Sequence, residues 1–156
     1  MNDLPHFALS IRQPHAYAIM HLGKDIENRN WKARTELPLD ICIHASLGMK
    51  REDMSDAFEF IDKAAPLGSP REHLRRQNKI LTDARFGGIV AVATITEIVT
   101  EDDSPWFQGR YGYRLANVSP VKFIPLVGAL GFFNWRANLG RTSGSSPLLT
   151  PIQQAD

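Results

Sequence analysis

The chain has 156 residues, 43% of them hydrophobic and 22% charged, which is apolar material for one core of ordinary size and too little for two. Eighteen Lys and Arg stand against seventeen Asp and Glu, so a formal net charge of +1 sets up no global field for nucleic acid or an anionic membrane, and any such attraction has to come from local clustering. The single cysteine, Cys42, excludes an intramolecular disulfide and Cys-rich zinc sites, and the absence of an apolar leader after Met1 predicts a cytoplasmic protein.

Residues 6–11 predict a short strand. Pro14 suits the first position of a helix, where its missing N–H leaves no bond unmade. Ala16, Ile19 and Met20 form an i, i+3, i+4 apolar stripe, and Gly23 stops the helix. So short a helix has to dock on something. Residues 25–31 and 37–44 predict two further strands around a turn at 35–38. Residues 46–86 read as a helical insertion. Met54, Ala57, Phe58, Ile61 and Ala65 line one face of its first helix, with five carboxylates elsewhere around it. Ser69-Pro70-Arg71-Glu72 then has capping-box spacing and opens a basic helix through about Leu81.

Residues 89–99 are apolar on both parities and rich in β-branched side chains, which predicts a central strand buried on both sides; the run is too short to span a membrane. Residues 108–118 and 121–127 predict two more strands, and 128–135 a short closing segment. Strands before and after a helical insertion, without regular βαβ alternation, indicate an α+β mixed barrel. Residues 1–140 form the single domain, and the Ser, Gly, Pro and Gln content of 141–156 predicts a flexible tail. Between Ser104 and Ala155 there is no acidic residue, while Arg110, Arg114, Lys122, Arg136 and Arg141 fall there. With Arg12, Lys24, Arg29, Lys32 and Arg34 these could assemble one basic face, or remain dispersed solvated charges.

Most catalytic signatures are missing. The sequence has no phosphate loop, no dinucleotide fingerprint, no nucleophile elbow and no H-E-x-x-H, so no cofactor is expected. The five histidines have no metal-ligand spacing, so no metal is expected either. What remains is one dense stretch, Leu9-Ser10-Ile11-Arg12-Gln13-Pro14-His15-Ala16, followed by Gly23-Lys24-Asp25-Ile26-Glu27-Asn28-Arg29-Asn30-Trp31.

This stretch resembles the ASCH domain family, a branch of the PUA-like superfamily. The family pattern is a strand ending in S-[IL]-[RK]-Q-P, a short helix, and then G-x-K-x-x-E-x-R-x-W, which Gly23, Lys24, Glu27, Arg29 and Trp31 fill. Ile43-His44-Ala45-Ser46 is similar to the strand end before the family's variable insertion, and residues 88–99 to its central strand with an acidic residue, here Glu97. Residues 111–118, Pro125 and 128–132 resemble the closing strands. The resemblance covers residues 9–135. It implies a PUA-like mixed β-barrel with helices packed on it and a cleft associated with RNA or modified nucleosides. Members include RNA binders, coactivator domains, a ribonuclease and an acetylcytidine hydrolase. That hydrolase places a threonine three residues after the lysine, where this chain has Glu27, and a carboxylate cannot replace a hydroxyl without changing the mechanism.

The residues can also be read on their own chemistry. In a regular strand Glu27, Arg29 and Trp31 share one face, a platform on which carboxylate and guanidinium read polar edges and the indole stacks a base; the alternative is an internal ion pair of Glu27 with Lys24 or Arg29 and Trp31 in the core. Glu97, in an apolar strand, is expected to meet Lys24 or Arg29 or to face the cleft, and a Lys24–Glu97 pair would be a proton-transfer dyad. His44 is a candidate acid or base or a structural histidine. Tyr111 and Tyr113 share strand parity and either pack the barrel rim or stack a base, with Arg114 beside them closing the cleft.

Three functions follow as expectations. The first is RNA or nucleotide binding at Arg12, Lys24, Glu27, Arg29, Trp31, Tyr111, Tyr113, Arg114 and Glu97. The second is metal-independent ribonuclease action, or amide hydrolysis on a modified nucleoside, using Lys24, Glu97 and His44. The third is protein interaction through the helical insertion. The sequence leaves the oligomeric state open.

Overall fold

The computed structural model describes residues 3–48 and 50–141, so apart from Arg141 the segment expected as a tail lies outside the described residues. The elements are β1 (Phe7–Ile11), α1 (His15–His21), β2 (Ile26–Arg29), β3 (Leu39–Ala45), α2 (Arg51–Ala64), α3 (Pro70–Asp83), β4 (Gly88–Val99), β5 (Tyr111–Pro125), β6 (Phe132–Asn134) and a 3-10 turn (Trp135–Asn138). The six strands form one sheet in the order β2-β5-β4-β3-β1-β6, parallel at β1–β3 and antiparallel elsewhere. The fold is α+β, a mixed sheet curled into a half-barrel. Three register shifts along β4–β5 explain the curl, because each bulge sharpens the local twist.

Alternation sorts the sheet's two faces. Leu9, Ile11, Ile41, Ile43, Ala91 and Ala93 pack one face, where α1 lays Ala16 and Ile19 against them; Ala8, Cys42 and Ile89 pack the other under Leu126, Phe133 and Trp135. The insertion closes over the far side of α1, with Phe58, Ile61 and Ile80 meeting Tyr17 and Ala18. Ser69 caps α3 as its spacing predicts, its Oγ accepting from the Glu72 N–H at 3.2 Å. No helix among the described residues is long and apolar enough to cross a membrane.

Three expectations need correction. Pro14 is the residue before α1 and not its first helical position. The two strands expected at 108–118 and 121–127 are a single strand, β5: Asn117 takes a positive φ of 53°, and Pro120 sits where the register with β4 shifts, so the strand bends without ending. Finally, β4 is buried on both sides only through its first half. Its pairing with β3 ends at Leu39–Ile95, so residues 96–99 overhang with β5 as their one strand neighbour; Thr96 and Glu97 face solvent, while Ile98 packs against the core.

Candidate functional site

Gly23, at φ +76°, turns the chain back after α1 so that the Lys24 N–H reaches Ala18 O at 3.1 Å. This reversal drives the Lys24 side chain inward, where it is 2% exposed. Its Nζ donates to Ile26 O at 2.6 Å and to Glu27 Oε1 at 3.2 Å. The other carboxylate oxygen, Glu27 Oε2, lies 3.2 Å from Arg29 Nε, an ion pair out of line for a hydrogen bond; Arg29 Nη2 donates to Ser10 O at 2.5 Å. A continuous polar chain thus runs from the end of α1 through β2 to the end of β1. Because β2 and β1 are far apart in strand order, Arg29 bridges the gap of the half-barrel with a side chain where no ladder bonds exist.

Opposite-strand pairing adds an aromatic wall. Glu27 faces Tyr113 and Arg29 faces Tyr111, so these four share one face of the sheet. Tyr113 is fully buried, donates its hydroxyl to Trp31 O at 2.8 Å, and burial pushes its pKa up to about 12. Trp31 lies edge-on to Tyr113 and Phe132, with ring centroids 5.6 and 5.8 Å away, and the Arg29 guanidinium stands 6.0 Å from the indole.

Burial lowers the pKa of Lys24, against the charge and hydrogen bond of Glu27. For Glu27, burial pushes upward but the charges of Lys24, Arg29 and His15 and the Lys24 hydrogen bond outweigh it, holding the carboxyl below its usual range. Two cations against one carboxylate leave this buried cluster with a formal positive excess. His15 feels it: burial first, then the Lys24 charge, lowers its pKa to about 4, with Glu27 opposing and Arg12 and Arg29 adding to the fall. The imidazole is therefore neutral at neutral pH.

Three buried side-chain atoms among the described residues lack a hydrogen-bond partner: His15 Nδ1, Arg29 Nε and Ser46 Oγ. All three belong to segments anchored at the C-terminal end of β1. Arg29 is bonded to Ser10 O, the Ser46 N–H donates to Ile11 O at 3.0 Å, and His15 sits on the turn that the Ala16 N–H closes onto Arg12 O. Arg29 Nε still has the Glu27 carboxylate as its ion-pair partner, so His15 Nδ1 and Ser46 Oγ are the exceptions here to the rule that buried polar atoms are paired. A concavity of about 240 Å3 opens here, lined by Arg12, His15, Asp53, Asp56, Phe60 and Gln108. Arg12 is half exposed and 3.7 Å from Asp53.

The structure thus brings Lys24, Glu27, Arg29, Trp31, Tyr111 and Tyr113 together and sets three expected residues apart. Glu97 stands on the β4 overhang, 60% exposed, and pairs with Arg114 Nε at 3.2 Å; it meets neither Lys24 nor Arg29. Arg114 turns from that face too, bonding Asp102 as well as Glu97. His44 is buried, with Nδ1 2.9 Å from Ser10 Oγ and Nε2 2.9 Å from Leu126 O. Since a carbonyl only accepts, Nε2 carries a hydrogen, and His44 ties β1 and β3 to the segment after β5, with Ser10 Oγ at its other ring nitrogen. Gly128 permits this packing: a Cβ there would lie 2.5 Å from Ser10 Oγ and 2.7 Å from the His44 ring.

Five of the ten cations that could either assemble one basic face or stay dispersed have local partners. Lys24 and Arg29 are drawn into the cluster, Arg12 and Arg114 meet carboxylates, and Arg136 donates to Leu4 O and Pro5 O. His15 and Ser46 are the site residues that sequence reasoning passed over. Both stand inside the runs already singled out, His15 after Gln13-Pro14 and Ser46 at the end of Ile43-His44-Ala45-Ser46, but spacing alone does not announce an unpaired atom. No group of three or more metal-ligating side chains occurs among the described residues. No family model matches the chain, and no curated protein is significantly similar to it.

Proposed function

We propose that the chain binds single-stranded RNA or a nucleotide-like ligand at the C-terminal end of β1, as a PUA-like protein of the ASCH type. The observation that carries this reading is the two buried polar atoms without a hydrogen-bond partner, His15 Nδ1 and Ser46 Oγ, beside a buried cluster with a positive excess. Arg12, half exposed in the wall of the concavity, offers hydrogens to phosphate or carbonyl oxygens. In the concavity Phe60 offers aromatic surface, and Asp53, Asp56 and Gln108 offer groups that read the polar edge of a base. The order of the motifs from Ser10 to Trp31 supports the same reading. Burying Lys24 and Glu27 costs stability that apolar residues would not, which favours a role in recognition.

Fluorescence anisotropy with a labelled single-stranded RNA tests it. Three phosphate contacts would give a log–log salt slope of about −2. Arg12→Ala should weaken binding and flatten that slope. No binding at low salt, or a slope unchanged in Arg12→Ala, overturns the reading.

One observation favours a second reading, metal-independent RNA cleavage: His15 is held neutral beside Lys24 and lines the concavity. A neutral imidazole can take the proton from a ribose 2′-OH as that oxygen attacks the adjacent phosphorus; the bond to the 5′-oxygen breaks, that oxygen takes a proton from water, and a 2′,3′-cyclic phosphate is left. The cationic cluster would stabilise the charge developing on the phosphoryl oxygens. RNA incubated with EDTA should then yield cyclic-phosphate ends with the wild type and not with His15→Gln; equal cleavage by both points to a contaminant.

A further inference from the structure

Three large apolar side chains in and before α3 are left in solvent at seven-residue intervals: Leu67, Leu74 and Leu81, at 41, 56 and 49% exposure. Leu74 and Leu81 lie on α3 two turns apart and so form one stripe. The helix is weakly docked on its own domain, Ile80 being its one buried residue. Beside it a groove of about 570 Å3 runs between α2 and α3, with Met54 and Phe58 from α2 and Gln77 and Leu81 from α3 among its walls. The two helices carry opposite charge. On α2 there are five carboxylates to two cations, and on α3 four cations to two carboxylates. Arg76–Asp62 is the one ion pair between the helices among the described residues, while Lys63–Glu59 and Lys79–Asp83 stay within a helix. Glu52 and Asp56 of α2, and Arg71 and Arg75 of α3, form none.

We propose that α3 is the contact helix of a homodimer. The α3 of one copy lies antiparallel in the α2–α3 groove of a second copy, about a two-fold axis near Gln77 and Asn78, with Leu74 against Leu81 of the partner subunit. The groove calls for a helix with leucines two turns apart and flanking cations, and α3 is such a helix. Antiparallel docking satisfies both grooves at once, as a two-fold interface must, and completes a four-helix bundle from two helical hairpins. It also sets the cationic flank of each α3 beside the acidic α2 of the other copy, which orients the pair.

Sedimentation equilibrium of the full chain tests this surface independently of RNA binding. A reversible dimer is expected, its mass twice the 17.5 kDa of the chain. The double variant Leu74→Glu/Leu81→Glu, at two exposed positions, should keep the wild-type circular dichroism and raise the dimer dissociation constant by at least about a hundredfold. Arg75→Glu should weaken the dimer by a smaller factor. A wild-type chain that stays monomeric to hundreds of micromolar, or a double variant that dimerises like the wild type, overturns the proposal.

Discussion

Two clusters on this molecule are built from the same chemistry, an arginine and a carboxylate 3.2 Å apart, and differ in everything else. At the gap of the half-barrel, Glu27 is 10% exposed and held between Lys24 and Arg29. On the β4 overhang, Glu97 is 60% exposed beside Arg114. Distance alone would rank them equal. Burial decides between them: at the gap water cannot substitute for a lost partner, and on the overhang it can.

Breaking each pair measures the difference. Glu27→Gln strands two buried cations and should cost about 3–5 kcal/mol in urea unfolding, the largest effect of any single substitution considered. Replacing Lys24 and Glu27 together, as Lys24→Met/Glu27→Leu, leaves Arg29 as the one cation without its carboxylate and should recover part of that loss; a double variant as unstable as the single one would show that the cluster's packing, and not the charge of Lys24, holds the gap.

The next effect is a pH dependence. The unfolded His15 takes up a proton below its ordinary pKa of 6.5, the folded one only below about 4. Between these values the unfolded state binds more protons, so stability falls as pH drops from 7 to 4, by up to about 3 kcal/mol from this group. Glu27, held below its usual range, contributes stability that is lost at still lower pH as its folded carboxyl protonates. Urea midpoints across pH 4–7 should slope in the wild type and flatten over that window in His15→Gln. An equal slope in both would remove His15 from the account.

Smaller again is Gly128→Ala. The added carbon meets Ser10 and His44, and overpacking of this kind costs about 1–3 kcal/mol. At the bottom of the scale, Glu97→Gln should leave the thermal midpoint unchanged. A marked fall there would mean that the overhang is more than a solvated pair.

The same contrast explains what could be read from the sequence. The run from Ser10 to Trp31 was legible because its signals are local: Gly23 reverses the chain, and the spacing of Lys24, Glu27 and Arg29 decides which of them meet. Glu97 was not. Its strand is apolar through Ile95, and only the register with β3, whose last partner is Leu39, leaves Thr96 and Glu97 exposed. The place of His44 was hidden for a similar reason, since the carbonyl that its Nε2 meets lies 82 residues away. His15 and Ser46 stood in plain view, yet a missing hydrogen-bond partner is a tertiary fact that no spacing announces.

The account's central claim is that the end of β1 is where a ligand binds, and titration of single-stranded RNA into 15N-labelled protein followed by NMR tests it most directly. Amide shifts should concentrate at residues 10–15, at Arg29 and Ser46, and at Gln108 across the concavity. Shifts confined to the β4 overhang or to α3, or none at RNA concentrations approaching a millimolar, would contradict it.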